Sequence, residues 1–182
     1  MTVLIIHGIG GHAGIHWQKW LHDELIKSGF NVLMPNLPNS DHPDRKEWLK
    51  IIKVKVKGID PQELIIVGHS LGVTTALDLL GGIDRKIIGL ISVSGFAEDY
   101  GAEMNSYFLS EKHIDFSRVK KHVENSFVIF GDNDPYVPQK ELRMVADQLG
   151  VAPKIIKDGG HLNTDTGFTT FPYLLEIIKK LK

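Results

Sequence analysis

Short apolar runs alternate with stretches of helical periodicity along the whole chain, and this alternation is the strongest constraint on its fold. The apolar runs end in glycine, proline, asparagine or aspartate, and they predict strands at 3–6, 30–34, 63–67, 87–93, 127–130 and 154–157. Helical spacing predicts helices at 16–27, 44–56, 71–80, 139–149 and 168–181. Segment 44–56 also shows a period of two, and we interpret it as a helix. The pattern favours an open, mostly parallel α/β sheet of about six strands with helices on both faces.

Composition limits the classes of protein that this fold could belong to. A length of 182 residues fits one domain. The formal net charge of −1 gives no support to a nucleic-acid partner. The chain contains no cysteine, which excludes disulfides, thiolate metal sites and a cysteine nucleophile. No leader or long apolar run is present, so we predict a cytoplasmic protein without a membrane partner, and no protein partner is identified.

A glycine–serine motif lies between the third predicted strand and the third predicted helix. Its sequence is Gly68-His69-Ser70-Leu71-Gly72, the G-x-S-x-G pattern of a nucleophile elbow, in which the glycines let the chain turn sharply. Such a turn presents the serine hydroxyl at the carboxyl edge of the sheet, near the positive end of the next helix. The alternative is a serine that only caps this helix. We predict that Ser70 is a nucleophile.

A serine nucleophile needs a base and an acid, and both residue types follow later strands. Asp132 and Asp134 come after the fifth predicted strand, and His161 comes after the sixth. The order serine, aspartate, histidine is that of the α/β-hydrolase fold. Because parallel strands end at one edge of the sheet, we expect these residues to meet there. Turn formation alone would also explain the two aspartates.

The backbone amides that would stabilise an oxyanion are predicted at two places. The amide of Leu71, which follows the serine, is the first donor. The glycine-rich loop 7–11 after the first strand supplies the second from Ile9 or Gly10, and we assign it to Ile9. These glycines do not match a nucleotide-phosphate loop.

The other histidines give no clear sign of a metal site. His7, His12 and His16 are close in sequence, but their loop has no carboxylate and lacks the H-E-x-x-H pattern. We therefore predict no metal and no other cofactor. His69, inside the elbow, is interpreted as a packing residue rather than a second base.

Segment 96–125 separates the fourth and fifth predicted strands and has no clear periodicity. A loop of this length is usually a lid or binding element, and the alternative is a solvated loop with one short helix around 116–123. The segment is too short for a large cap domain. Large side chains of this segment and of other parts of the chain are predicted to wall an acyl or alcohol pocket for small or exposed substrates: Trp17, Phe96, Tyr100, Tyr107, Phe108, Tyr136 and Leu162.

Taken together, these motifs resemble the small α/β-hydrolases grouped with retinoblastoma-binding protein nine and the bacterial YdeN proteins. The likeness covers nearly the whole chain and includes the loop 7–11, Trp17, the segment 34–36, Trp48, the elbow, the segment 131–138 and Gly160-His161. The resemblance implies one α/β-hydrolase domain over 1–182 with a minimal cap at 96–125. It matches Ser70 to the nucleophile, Asp134 to the acid and His161 to the base. Asp134 is preferred to Asp132 because the family pattern places the acid three residues before the valine of a Val-Pro pair, here at 137–138.

The motifs and the resemblance lead to one main functional hypothesis. The chain is predicted to be a carboxylesterase-like serine hydrolase that cleaves an ester or related acyl bond through a covalent acyl-enzyme. One alternative is a non-catalytic binding or adaptor protein that keeps the hydrolase scaffold. Another keeps the site but performs lyase or acyl-transfer chemistry. The natural substrate is not identified by the sequence.

Overall fold

A computed structural model describes all 182 residues of the chain. The fold contains one sheet of six strands. The strands are β1 (Thr2–Ile6), β2 (Asn31–Leu33), β3 (Leu64–His69), β4 (Ile87–Val93), β5 (Val123–Gly131) and β6 (Lys154–Ile156). Their order across the sheet is β2-β1-β3-β4-β5-β6, and every neighbouring pair is parallel. The prediction of an open parallel α/β sheet is therefore confirmed.

Helices connect the strands and cover both faces of the sheet. They are α1 (Gln18–Lys27), α2 (Arg45–Val56), α3 (Leu71–Leu80), α4 (Ser106–Leu109), α5 (Phe116–Lys121), α6 (Gln139–Leu149) and α7 (Pro172–Lys180). The segment 44–56, whose pattern also fits a period of two, forms helix α2, and the Asp44 side chain caps its start by accepting from the Glu47 amide at 2.7 Å. None of the helices combines the length and the apolar character that crossing a membrane requires.

Alternate strand residues pack into two apolar layers, one on each face of the sheet. Leu4 and Ile6 of β1 belong to the larger layer, which includes side chains of α2, α3 and α6. Val3 and Ile5 belong to the smaller layer, which includes side chains of α1 and α7. Because both faces are covered, an inner strand can be apolar at every position. This explains the continuous apolar runs from which the strands were predicted.

The fifth strand begins at Val123, four positions before its predicted start at Phe127. Residues 124–126 are Glu, Asn and Ser, so no apolar run marks the beginning of this strand in the sequence. Backbone pairing with β4, in which Val123 lies opposite Ile87, adds these polar residues to the sheet. The predicted insert at 96–125 therefore ends at about residue 122.

The segment between β4 and β5 is packed into the domain. Its residues Phe108 and Val119 are buried in the larger layer. Arg45 of α2 forms a buried ion pair with Asp78 of α3 (Nε to Oδ2, 2.7 Å) and donates to the carbonyls of Phe108 and Leu109 at 2.9 and 3.0 Å. Separating such a buried pair would be strongly unfavourable, so these bonds hold α4 to the domain. The short helix predicted around 116–123 is present as α5, and the segment combines exposed residues with these buried anchors.

Candidate active site

Ser70 lies on the turn between β3 and α3 and has an unusual backbone conformation. Its φ and ψ are 55° and −126°, a combination that residues other than glycine rarely adopt. Its amide donates to the Val93 carbonyl at 2.9 Å, which ties the turn to the end of β4. The Ser70 side chain makes no capping hydrogen bond to α3. The capping alternative is therefore wrong, and the hydroxyl is available to the adjacent cavity.

Two glycines allow the close backbone packing of this turn, one against β1 and one against the start of α3. A β-carbon on Gly72 would lie 2.5 Å from the Ile6 carbonyl oxygen and 2.6 Å from that of His7. A β-carbon on Gly68 would lie 2.9 Å from the backbone nitrogen of Val73. These obstacles are backbone atoms, which cannot move aside as a flexible side chain can. Gly72 thus brings the elbow against the end of β1, and Gly68 lets the chain turn tightly from β3 into α3.

Asp134 and His161 form a buried hydrogen-bonded pair. His161 Nδ1 lies 2.7 Å from Asp134 Oδ2, and the carboxylate side chain is 0% exposed while the imidazole is 9% exposed. The other carboxylate oxygen accepts from the amides of Tyr136 and Val137 at 2.9 and 3.1 Å. Because a carboxylate oxygen accepts hydrogen bonds, Nδ1 of the neutral imidazole must carry the proton that it donates to Asp134. Its Nε2 is then free to accept a proton.

Asp132, the other predicted acid, has different partners. It is exposed, and its Oδ1 accepts from the Asp158 amide at 2.7 Å. The neighbouring Asn133 Oδ1 accepts from the Gly160 amide at 2.7 Å. Both bonds hold the loop after β5 against the loop after β6. Of the two aspartates that the residues alone left open, Asp134 is the one that contacts the histidine.

One cavity of about 300 Å³ brings the candidate residues together at the carboxyl edge of the sheet. Ser70, His161 and Ile9 line it, as do the predicted pocket residues Phe96 and Tyr136. Ser70 Oγ and the His161 imidazole face this shared space without a hydrogen bond between them. In unliganded enzymes such bonds are often long and tighten when substrate binds.

Four predicted pocket residues lie elsewhere, and the prediction is wrong for them. Trp17 and Leu162 are fully buried in the smaller apolar layer, where the indole N–H donates to the Leu162 carbonyl at 3.0 Å. Tyr107 and Phe108 lie away from the cavity that Ser70 lines. A large side chain can serve a core or a pocket, and residue type does not distinguish the two.

Two backbone N–H groups beside the elbow have no hydrogen-bond partner. Leu71 begins α3, so its N–H has no acceptor within the helix. The Ile9 amide also donates to no other group, whereas the Gly10 amide donates to the Ser40 carbonyl at 2.7 Å. Of the two amides considered in the loop 7–11, only that of Ile9 is free to bind an oxyanion.

Buried histidines support the loops around the site. His7 Nε2 accepts from the Leu37 amide at 3.0 Å, and burial lowers the His7 pKa. His69 Nε2 lies 3.0 Å from the His161 carbonyl oxygen and donates to it. Burial, assisted by the adjacent His161, lowers the pKa of His69 well below its ordinary value. His69 is thus buried as predicted, and it also makes a hydrogen bond that the sequence does not reveal.

No group of three or more histidine, aspartate or glutamate residues is arranged to hold a metal ion.

We expect the stability of the folded protein to fall as the pH decreases below about 6.5, the ordinary histidine pKa. The unfolded chain protonates His69 in this range, whereas burial keeps its pKa lower in the folded state. The unfolded state therefore binds more protons, and acid favours unfolding. Urea midpoints measured from about pH 7.5 to about pH 5.5 should decrease less for His69→Gln, which keeps an N–H donor but does not titrate. Equal decreases in both proteins would show that His69 is not responsible.

A match to a family model identifies the class to which the chain belongs. A family model described as serine hydrolase matches residues 3–180, and the chain is a member of that family. It is similar to the YdeN protein of Bacillus subtilis (strain 168), with 27% identity over 178 residues that cover 97% of this chain and 93% of YdeN. It is also similar to the serine hydrolase RBBP9 of Rattus norvegicus, with 26% identity over 185 residues that cover 99% and 94% of the two chains.

A solved structure agrees with the sequence comparison. The crystal structure of the ydeN gene product from B. subtilis matches this fold with a TM-score of 0.92 at 27% identity, covering 99% of this chain and 97% of that one. The resemblance predicted from the sequence motifs is therefore confirmed.

Proposed function

We propose that this serine hydrolase cleaves a carboxylic ester or related acyl bond with Ser70, His161 and Asp134 as its catalytic triad. The observation that carries the proposal is the buried 2.7 Å contact between His161 and Asp134 beside the cavity that Ser70 lines. Membership of the family supports hydrolysis in general. The geometry supports the assignment of these three residues.

The proposed mechanism follows from the hydrogen-bond partners of each group. His161 Nε2 takes the proton from Ser70 Oγ as the oxygen attacks the acyl carbonyl carbon. The amides of Ile9 and Leu71 stabilise the oxyanion. His161 then gives the proton to the leaving alcohol, and a water molecule hydrolyses the acyl-enzyme by the same steps. Asp134 orients the imidazole and stabilises its protonated form.

The cavity suggests a small and uncharged substrate. Its volume of about 300 Å³ is at the lower end of the range for small-molecule sites. None of its lining residues is Lys, Arg, Asp or Glu. Phe96, Tyr100 and Met104 of the segment after β4 line one part of it. We propose that this segment acts as the wall or lid of the substrate pocket.

Partitioning of the acyl group between water and an added alcohol tests the proposed reaction. The protein is incubated with p-nitrophenyl acetate or with phenyl acetate in the presence of methanol, and acetate and methyl acetate are quantified. A common acyl-enzyme predicts the same product ratio from both esters, because the leaving group has departed before the acyl group is transferred. Product ratios that depend on the leaving group would contradict the acyl-enzyme. Release no faster than in buffer would favour the adaptor alternative.

A further inference from the structure

His16 is a histidine outside the proposed triad that also lines the cavity, and its backbone is strained. Its φ is 58°, a value at which glycine or asparagine is usually found. It shares the cavity with Ser70 and His161. Strained residues of this kind persist only where the surrounding structure holds them, and they cluster at functional sites. The next residue, Trp17, is fully buried and anchors the strained turn.

Thr164 fixes the orientation and the tautomer of the His16 ring. The Thr164 amide donates to His16 Nδ1 at 3.2 Å, and the Thr164 hydroxyl lies 2.9 Å from the same nitrogen. A ring nitrogen that accepts from an amide carries no proton, so the proton of neutral His16 is on Nε2. Burial lowers the pKa of His16, which favours this neutral form. Nε2 makes no hydrogen bond within the protein, which leaves one N–H donor without a partner.

The position of His16 relates it to the leaving group of the proposed reaction. Thr164 follows His161 by three positions, so His16 is bonded to the loop that carries the proposed base. The His16 and His69 ring centres are 5.4 Å apart, and those of His69 and His161 are 5.0 Å apart. The base must deliver its proton to the departing alcohol, so the alcohol lies on this side of the cavity.

We infer that His16 determines substrate specificity by donating its Nε2–H to a second oxygen on the alcohol part of the ester. The preferred substrates are then small uncharged esters whose alcohol carries an ether, hydroxyl or carbonyl oxygen. A site built to pair with such an oxygen discriminates against a substrate that has a methylene group in its place, because the N–H donor then loses its partner. This inference rests on the proposed hydrolase function.

Two matched acetate esters test this specificity. In 2-methoxyethyl acetate one ether oxygen replaces a methylene group of n-butyl acetate, and kcat/KM for each is measured from acetate release. His16→Phe keeps an aromatic ring but removes the N–H donor. His16→Asn suits the positive φ but has a side chain too short to place a donor at the same position. In both variants the ratio of kcat/KM for the two esters should shift towards n-butyl acetate by about five- to tenfold.

A second pair of esters tests whether His16 contacts the alcohol part or the acyl part of the substrate. In p-nitrophenyl methoxyacetate and p-nitrophenyl butyrate the same replacement is on the acyl part, and their ratio of kcat/KM should be the same in the variants and the natural protein. An unchanged ratio for the acetate pair, or a shift in the acyl pair instead, would overturn the inference. The intrinsic reactivity of each ester cancels when the ratio of kcat/KM in a variant is compared with the ratio in the natural protein.

Labelling by a fluorophosphonate separates the two possible failures. If the inference on His16 fails but the proposed function holds, the natural protein is labelled at Ser70 and hydrolyses the esters, and the ratios do not change in the variants. If the proposed function fails, the natural protein neither hydrolyses the esters nor reacts at Ser70. Labelled variants also show that replacement of His16 has preserved the fold around the elbow.

Discussion

Replacing Ser70 with alanine is expected to lower kcat for p-nitrophenyl acetate by about 10⁴-fold or more, because the attacking oxygen is removed. Any remaining rate would come from substrate binding and the oxyanion amides of Ile9 and Leu71. The variant should fold, since Ser70 itself carries a β-carbon at this φ and makes no capping bond that alanine would lose. Release of p-nitrophenol, corrected for the buffer reaction, measures the effect.

Ser92→Ala is the matched control for this experiment. Ser92 lies on β4, is fully buried, and its hydroxyl has no hydrogen-bond partner. Its removal should therefore leave kcat within about twofold of that of the natural protein. If Ser70→Ala keeps more than about a tenth of the natural rate, Ser70 is not the nucleophile.

The second large effect is expected for Asp134→Asn, which should lower kcat by about 10³- to 10⁴-fold. Asparagine keeps an oxygen for the amides of Tyr136 and Val137. However, its NH2 group faces His161 Nδ1, and the ring must then carry its proton on Nε2. An imidazole protonated on Nε2 cannot take the proton of the serine hydroxyl. The steady-state rate with p-nitrophenyl acetate is the measurement.

Asp132→Asn makes the same chemical change on the same loop and is the control for Asp134→Asn. Asparagine keeps the oxygen that accepts from the Asp158 amide, and position 132 is exposed. Its kcat should stay within about twofold of the natural value. Equal losses in the two variants would show that the loop, rather than the contact of Asp134 with the histidine, sustains activity.

The sequence predicts those parts of the fold that depend on local patterns. The apolar run of β3, the glycines of the elbow and the helix that follows are neighbours along the chain, so their spacing identifies a strand, a sharp turn and a helix. The start of β5 is missed because residues 124–126 are polar and are added to the sheet by pairing with β4. That pairing is a tertiary contact without a local signal.

In the site, too, sequence patterns identify residues that belong to local motifs but not contacts between residues far apart in the chain. Ser70, the aspartates and His161 each follow a strand of a parallel sheet, so the topology brings them to one edge, and the family pattern selects Asp134 over Asp132. In contrast, His16 bonds to Thr164 across 148 positions, and His69 bonds to His161 across 92. No spacing rule connects residues so far apart. The positive φ of His16 could not be predicted either, because a histidine in a turn does not by itself indicate this backbone conformation.

The central claim is that Ser70, His161 and Asp134 act as one proton-transfer unit, and a fluorophosphonate probe followed by mass spectrometry of the peptides tests it most directly. The account predicts one adduct per chain, located on Ser70 in the native protein. The adduct should be lost in Ser70→Ala and after denaturation, and it should form much more slowly in Asp134→Asn than in Asp132→Asn. An adduct on a different residue, or native protein that stays unmodified, would contradict the account.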